Sequence, residues 1–256
     1  RLEDTIIFHL IERVQFPFNE TMYTPGGVSI PNFKGSFLEW MLREQEQVFA
    51  KVRRYQSPDE YPFFPDSLPE PFLAPLKYPQ LLHPNNVNIN RKLLSCYISH
   101  ILPSACNPPN ATDAEHRGEQ YENFGSAAVE DVAVLQSLSR RIHFGKFVAE
   151  AKFRQETEKF TKLIKERDVK GLDAAITNEK VELQVLKRLE EKAKTFGIDP
   201  SLNPGSPLKV NVDAIVEMYK KFVIPLTKEV EVDYLLMRLD EPTVENGMNG
   251  TVNGKK

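Results

Sequence analysis

The chain has 256 residues, of which 41% are hydrophobic and 27% charged, and its formal net charge at pH 7 is −3. This length and hydrophobic content allow one large buried core or two smaller ones. The small negative charge argues against a protein that binds nucleic acid or anionic membranes through bulk positive potential, and no stretch approaches the ~20 apolar residues that span a bilayer.

Two amphipathic helices are predicted in the first part of the chain. Apolar residues recur at helical spacing over residues 1–16 and again over 35–55, where a Gly-Ser pair precedes the pattern. Between residues 57 and 85, eight prolines exclude regular helix and predict a long packed connector of extended and turn structure. We expect three of its apolar side chains to plug into the core: Phe63, Phe64 and Phe72.

The rest of the chain also has helical periodicity. Helices are predicted at 88–102, from Gly125-Ser126 to about Phe153 with extension as far as Lys165, at 177–197, and at 211–239 with a kink at Pro225. Residues 103–122 are predicted to form a polar loop, and residues 241–256 a disordered tail. No segment alternates like a strand. We therefore expect an all-α protein with a single large helical domain over residues 1–240 and long connector loops.

Arg141 and Lys152 form a cationic stripe on the longest predicted helix. Eleven steps of about 100° return to within about 20° of the start, so both side chains share a face, with Cα atoms ~16 Å apart. Gly145 and Val148 lie between them and are small enough to leave room for one small anionic molecule. The alternative is that both cations are solvated surface charges, as most lysines and arginines are.

Two later segments each place a neutral hydrogen-bonding residue one helical turn from a carboxyl group. Asn178 and Glu182 stand at i and i+4, as do Thr227 and Glu231. The spacing alone is weak, since a capping Asn and a surface Glu explain the first pair equally well. A site requires all three faces to converge.

Several segments together carry a family resemblance. In order along the chain from Arg1 to about Asp240 they include PNFKGSFLEW, VRRYQSPDEYPFFPD, NFGSAAVEDVAVLQSLSRRIHFGKFVAEAKF and IPLTKEVEVDYLLMRL. They resemble the eukaryotic, allosteric, all-helical chorismate mutases, most closely those of fungi. The resemblance implies a homodimer of helical subunits and the Claisen rearrangement of chorismate to prephenate, on the route to phenylalanine and tyrosine. That reaction needs no metal and no cofactor.

The resemblance also implies site residues. The substrate-binding and catalytic positions that match are Arg141 for a substrate carboxylate, Lys152 for the ether oxygen, Glu231 as a protonated donor to the same oxygen, Glu182 for the ring hydroxyl, and Asn178 and Thr227 for the carboxylates. The family carries a further carboxylate-binding arginine just upstream of the motif that matches RLEDTIIF, with which this chain begins.

A regulatory site is implied at the start of the long helix. Gly125 and Ser126 lie where unpaired backbone N–H groups attract a carboxylate, although a plain helix cap is the alternative. In the family, this loop of one subunit and an arginine pair of the other bind tyrosine as inhibitor or tryptophan as activator. The matching residues are Asn123, Gly125 and Ser126 in the loop and Arg53 and Arg54 in the pair. Glu122 and Val129 replace polar residues of known relatives, which leaves the effector preference open.

Other interpretations remain open at this stage. A non-catalytic helical relative that acts in regulation or interaction is the main alternative, and an RNA-binding patch at SRRIHFGK is a weaker one. With only Cys96 and Cys106, a disulfide framework or metal cluster is not expected, and reduced thiols favour a cytoplasmic protein. Because the sequence begins inside a helical pattern, a plastid location with an upstream targeting peptide is the alternative.

Overall fold

The computed structural model describes residues 2–106, 118–198 and 208–241. Within these ranges all regular structure is helical, apart from one isolated bridge between Ile30 and Phe33, so the all-α prediction is confirmed. The α-helices are α1 (Leu2–Arg13), α2 (Phe37–Lys51), α3 (Asn90–Cys96), α4 (Leu102–Cys106), α5 (Phe124–His143), α6 (Gly145–Gln155), α7 (Thr157–Lys165), α8 (Val169–Ile176), α9 (Glu179–Phe196), α10 (Val212–Met218) and α11 (Ile224–Leu236).

Local sequence accounts for the first two helices. The buried residues of α1 follow the predicted spacing, and α1 packs along α5. At the start of α2, Ser36 and Glu39 form a capping box: the Ser36 hydroxyl accepts from the Glu39 N–H at 3.2 Å, and the Glu39 carboxylate accepts from the Ser36 N–H at 2.9 Å. This pair satisfies two of the N–H groups that a helix start leaves unbonded.

The proline-rich connector has no α-helix, as predicted. It contains one short 3-10 turn at Pro65–Ser67, and another, Arg54–Gln56, directly precedes it. Phe63 is buried, but Phe72 is 71% exposed, so its prediction as a core plug was wrong. A carboxylate helps anchor the connector: buried Glu46 on α2 accepts from the N–H groups of Phe63 and Phe64 at 2.5 and 2.9 Å. The connector around Phe63 and Phe64 therefore packs on α2 through polar bonds as well as apolar contacts.

The long helical pattern after Gly125 is divided into three helices. The prediction of one helix as far as Phe153 was wrong, because α5 ends at His143 and α6 begins after a single residue, Phe144. Phe144 keeps near-helical angles, and its N–H still bonds the Arg140 carbonyl. A second break lies at Glu156, with φ −128° and ψ 50°. Neither break contains proline, so the sequence pattern did not reveal them.

Two wide turns of π-helix interrupt the helical segments that contain prolines. The π turn at Tyr97–Ile101 precedes Pro103, and the one at Tyr219–Val223 precedes Pro225. Proline has no N–H and clashes with the carbonyl four residues earlier, which in both cases falls inside the π turn. The interruption predicted at Pro225 therefore lies upstream of it, and the proline itself sits in the first turn of α11.

The core contains a buried ion pair. Arg13 of α1 and Asp131 of α5 are fully buried, with Nε 2.5 Å from Oδ1, and the carboxylate also accepts from Tyr23 and Tyr97 at 2.7 Å each. This network links the early segments to the centre of α5.

None of the helices in the described ranges combines the length and apolar character needed to cross a membrane. Of the predicted polar loop, residues 107–117 lie outside the described residues, as does the predicted tail beyond Glu241.

Candidate active site

A cavity of about 190 Å³ opens between α5, α6, α9 and α11. All six residues that the sequence placed at the substrate line it, although they come from four helices and a helix cap: Arg141, Lys152, Asn178, Glu182, Thr227 and Glu231. Apolar side chains such as Val148, Ile176 and Ile224 form the rest of its wall. The three faces that the spacing left unconnected therefore meet in one place.

Arg141 lies in the last turn of α5 and is half-buried. Its guanidinium makes no hydrogen bond or ion pair with any residue that the structure describes. A planar guanidinium is suited to binding a carboxylate through two parallel hydrogen bonds. An unpaired arginine in a cavity therefore favours an anionic ligand.

Lys152 reaches the cavity from α6. Its ammonium donates to the carbonyl of Ile176, the last residue of α8, and Nζ lies 3.8 Å from Glu231 Oε2. An ammonium has three hydrogens, so at least one stays available for a ligand. The carbonyl bond fixes the side chain, because the end of α8 leaves its last carbonyls without helical partners.

Glu231 of α11 is only 7% exposed. Burial raises the pKa of its carboxyl to about 7, against the opposing effects of Lys152, Arg141 and Lys228. Its Oε2 has no hydrogen-bond partner among the described residues. Near neutral pH a large fraction of this group is therefore an uncharged acid that can donate a hydrogen bond into the cavity.

Asn178 and Glu182, at the start of α9, are compatible with both interpretations of their spacing, a helix cap and a ligand site. Asn178 caps the helix, since its Oδ1 accepts from the Val181 N–H at 3.2 Å, and its amide nitrogen donates no hydrogen bond to any residue in the described ranges. Glu182 lies one turn further on, with Oε1 2.7 Å from the ammonium of Lys228. The cap therefore does not exclude ligand binding by the same Asn.

Lys228 was missed by the sequence analysis. It follows Thr227 on α11 and is not on the stripe defined by Thr227 and Glu231, but its long side chain extends to Glu182 and the cavity. Thr227 itself donates to the Val223 carbonyl at 2.6 Å, so its hydroxyl hydrogen is occupied in this structure. A helical stripe drawn from Cα positions does not capture a side chain as long as lysine.

Gly145 does not face the cavity as the stripe suggested, although Val148 does. Gly145 is buried against α11: a Cβ built on it would lie 3.0 Å from Glu231 Cγ, from Thr227 Cγ2 and from the Thr227 carbonyl oxygen. The glycine therefore allows a close approach between α6 and α11.

The predicted effector residues lie at the end of α2 and the start of α5. Arg53 adopts a left-handed conformation with φ 62° and donates to the Leu73 carbonyl. Arg54 stacks on Phe49 at 4.3 Å and pairs with Glu60 at 3.3 Å. Asn123 precedes α5, and Gly125 and Ser126 are exposed in its first turn.

Comparison with known proteins identifies relatives along almost the whole chain. The sequence profile described as Chorismate mutase type II matches residues 126–232. The chain is 59% identical to the chorismate mutase of Emericella nidulans over 239 residues, which cover 93% of this chain and 89% of the relative.

Solved structures agree with the sequence match. A chorismate mutase from Candida albicans in complex with L-Trp superimposes with a TM-score of 0.87 and 46% identity, over 96% of this chain and 90% of the other. AtCM1 with tyrosine bound in its allosteric site gives a TM-score of 0.83 and 41% identity, over 94% of this chain and 93% of the other. AtCM1 has also been solved with phenylalanine in that site.

Proposed function

The chain belongs to the chorismate mutase family and catalyses the rearrangement of chorismate to prephenate, and from this premise we propose that the cavity between α5, α6, α9 and α11 is its active site. The observation that carries the proposal is the charge of that cavity. Three cations, Arg141, Lys152 and Lys228, oppose two carboxyl groups, one of which has a pKa of about 7. The excess positive charge complements a small dicarboxylate.

The chemistry determines what the residues have to do. In one step the ether C–O bond of chorismate breaks while a C–C bond forms, and the electrons move within a six-membered ring of substrate atoms. No group is transferred to the protein. The enzyme accelerates the reaction by holding the extended substrate in its folded, reactive form and by stabilising the charge that develops.

Lys152 and Glu231 are assigned to the ether oxygen. Negative charge develops on this atom as the C–O bond breaks, and hydrogen bonds aimed at such an atom strengthen in the transition state. Lys152 has hydrogens free beyond its bond to Ile176, and the neutral form of Glu231 supplies a second donor. The 3.8 Å between Nζ and Oε2 allows both groups to approach one acceptor.

The remaining residues orient the substrate. Arg141 binds one carboxylate, and the free amide nitrogen of Asn178 helps to hold the carboxylates. Thr227 must give up its bond to the Val223 carbonyl to donate to a substrate carboxylate. Glu182, whose Oε1 lies 2.7 Å from the ammonium of Lys228, accepts from the ring hydroxyl.

Aromatic amino acids regulate the enzyme allosterically, in keeping with relatives whose structures hold tryptophan, tyrosine or phenylalanine. We propose that the effector site is shared between two subunits. Asn123, Gly125 and Ser126 of one chain bind the amino acid together with Arg53 and Arg54 of the other. The left-handed turn at Arg53 directs the two consecutive arginines differently, one towards the connector and one along α2.

A homodimer is proposed from the surface beside these arginines. Several large apolar side chains of α2 and the connector are between 41% and 71% exposed: Val48, Val52, Phe72, Leu73, Leu76 and Tyr78. The Phe72 N–H bonds the Lys51 carbonyl at 3.0 Å, which joins the two segments. A monomer rarely leaves so large an apolar area uncovered. Light scattering should give twice the chain mass.

We propose a cytoplasmic location, with the plastid as the alternative. Cys96 and Cys106 form no disulfide in the described part of the chain, which fits a reducing compartment, and a plastid is equally compatible with this. Imaging of the complete gene product fused to a fluorescent protein distinguishes the two.

The direct test is turnover. Purified protein should convert chorismate to prephenate. The reaction is measured by the loss of chorismate absorbance and by chromatography of the product. If protein expressed from the complete gene is folded and dimeric but shows no turnover, a non-catalytic regulatory relative is favoured. Activity that depends on Arg141 and Lys152 identifies this cavity as the place of reaction.

A further inference from the structure

Gly145 occupies a contact on which the arrangement of the cavity depends. It lies at the first position of α6, between Arg141 and Lys152 in sequence, and it is buried beneath the cavity rather than exposed in it. Its neighbours across the gap are Thr227 and Glu231, two of the residues that line the cavity from α11.

The space at Gly145 is too tight for a Cβ unless its neighbours on α11 shift. A Cβ there would meet Glu231 Cγ, Thr227 Cγ2 and the Thr227 carbonyl oxygen, all at 3.0 Å. Carbon atoms in favourable contact are ~3.5–4.0 Å apart, so a methyl group there requires its neighbours on α11, which include one backbone atom, to give by a few tenths of an ångström. The displaced atoms include the base of the Glu231 side chain.

The far end of the same helix pair is fixed by polar bonds. Glu150 of α6 accepts from the Tyr234 hydroxyl at 2.6 Å and from Arg238 Nε at 2.7 Å. Because α6 is pinned at Glu150, an added methyl at Gly145 has to open the pair on the Gly145 side, where it meets Thr227 and Glu231. Lys152 lies two residues beyond Glu150 and stays with the pinned part of α6, so its spacing from Glu231 changes. The glycine and the Glu150 cluster together define the gap between α6 and α11.

We propose that Gly145 is a positioning residue of the enzyme: its missing side chain sets the separation of α6 and α11 that brings Lys152 and Glu231 to the same atom of the substrate. The inference rests on the proposed active site. Gly145 does not touch the substrate. It acts through the position of α11, so enlarging it should impair the chemical step more than substrate binding.

The first experiment measures Gly145→Ala against the unchanged enzyme. We expect kcat to fall tenfold or more, with KM changed less than threefold, because Arg141 lies on α5 and stays in place. The pH at which activity is half-lost should move downwards, since wider spacing admits water to Glu231 and burial is the main cause of its raised pKa. A purely structural defect would lower active protein without moving this midpoint. Gly118→Ala, where a Cβ meets nothing within 4 Å, is the control and should match the parent.

The second experiment is a rescue. Thr227→Ser removes Cγ2, one of the three contacts, and keeps the hydroxyl, so Gly145→Ala/Thr227→Ser should recover at least threefold in kcat over Gly145→Ala. Parent values of kcat and pH midpoint in Gly145→Ala would overturn the proposal, as would absence of rescue. If Gly145→Ala does not fold, the double variant Gly145→Ala/Thr227→Ser is compared with the single variant Thr227→Ser. A lower kcat and a lower pH midpoint in the double variant then support the proposal. Equal values in the two variants, or a double variant that also fails to fold, overturn it. An inactive parent would instead refute the proposed function.

Discussion

Lys152 and Glu231 face each other across the cavity with Nζ 3.8 Å from Oε2, too far apart for a hydrogen bond. The lysine is held by a backbone carbonyl, and Glu231 Oε2 has no hydrogen-bond partner among the described residues. In a close ion pair the two groups would bind each other and would not be available to a ligand. The separation instead leaves one donor on each side of a space that a ligand oxygen can enter.

Removing the Lys152 ammonium should weaken the stabilisation of the transition state. A single electrostatic donor of this kind contributes ~3 kcal/mol, so Lys152→Ala should reduce kcat about a hundredfold or more. Steady-state turnover of chorismate measures the effect. Lys194→Ala is the matched control, because Lys194 is exposed on α9 and pairs with Glu190 one turn away. Comparable losses in the two variants would contradict the assignment.

The activity should depend on pH through Glu231. Its carboxyl has a pKa of about 7 and donates only when protonated, so kcat should be highest below pH 7 and fall above it. Glu231→Gln keeps a neutral donor at every pH, and its activity should therefore persist at alkaline pH. Glu229→Gln, on the same helix and paired with Lys92, should keep the parent profile. A parent profile that stays flat from pH 5 to 9 would exclude a titrating Glu231.

Replacing Arg141 by lysine tests the geometry of the carboxylate contact. The charge is kept but the planar fork is lost, and hydrogen bonds between charged groups contribute ~1.5–3 kcal/mol, so kcat/KM should fall roughly 10- to 100-fold. Arg140→Lys is the control from the adjacent position, where the side chain pairs with Asp59 at 2.6 Å. Equal kinetics for Arg141→Lys and the parent would remove Arg141 from the carboxylate site.

The effector response should depend on Arg54. Arg54→Ala deletes one of the two cations proposed to bind the amino acid, and the tyrosine concentration needed for half of the effect should rise at least tenfold. Activity is measured across a titration of tyrosine, and separately of tryptophan and phenylalanine, to identify the preferred effector. Lys51→Ala removes a neighbouring exposed cation and should leave the titration unchanged. An Arg54→Ala titration that overlays the parent's contradicts the assigned site.

The buried ion pair should matter for stability rather than for catalysis. Asp131→Asn leaves the Arg13 charge without its partner in a fully buried position, and breaking such a pair costs about 3–5 kcal/mol of unfolding free energy. Denaturant unfolding measures this loss. The exposed Asp213→Asn on α10 should change stability by less than about 0.5 kcal/mol. A small effect at Asp131 would mean that the tyrosine hydroxyls and water replace the lost charge.

Sequence reasoning worked best where one local signal decided the outcome. The helical spacing of α1, the caps of α2 and α9, and the exclusion of helix by eight prolines all depend on near neighbours. The breaks at Phe144 and Glu156 and the exposure of Phe72 depend on distant packing, which a single sequence does not display.

The candidate site shows the same division. Spacing placed Arg141 with Lys152 and Thr227 with Glu231, but the resemblance was needed to connect the faces. Lys228 escaped notice because its reach depends on side-chain length, and Gly145 was assigned to the wrong side because α6 begins a new helix there. The raised pKa of Glu231 likewise follows from burial, which spacing alone cannot give.

The wide turn at Tyr219–Val223 governs the helical phase of everything that follows it. If those five residues were wound as ordinary α-helix, α11 would be rotated by about 100° relative to α10. Leu226 and Val230 would then point where Thr227 and Glu231 point now, and apolar side chains would face the substrate dianion. The π-helical turn at Tyr219–Val223, which does not itself line the cavity, thus determines which side chains of α11 face the substrate.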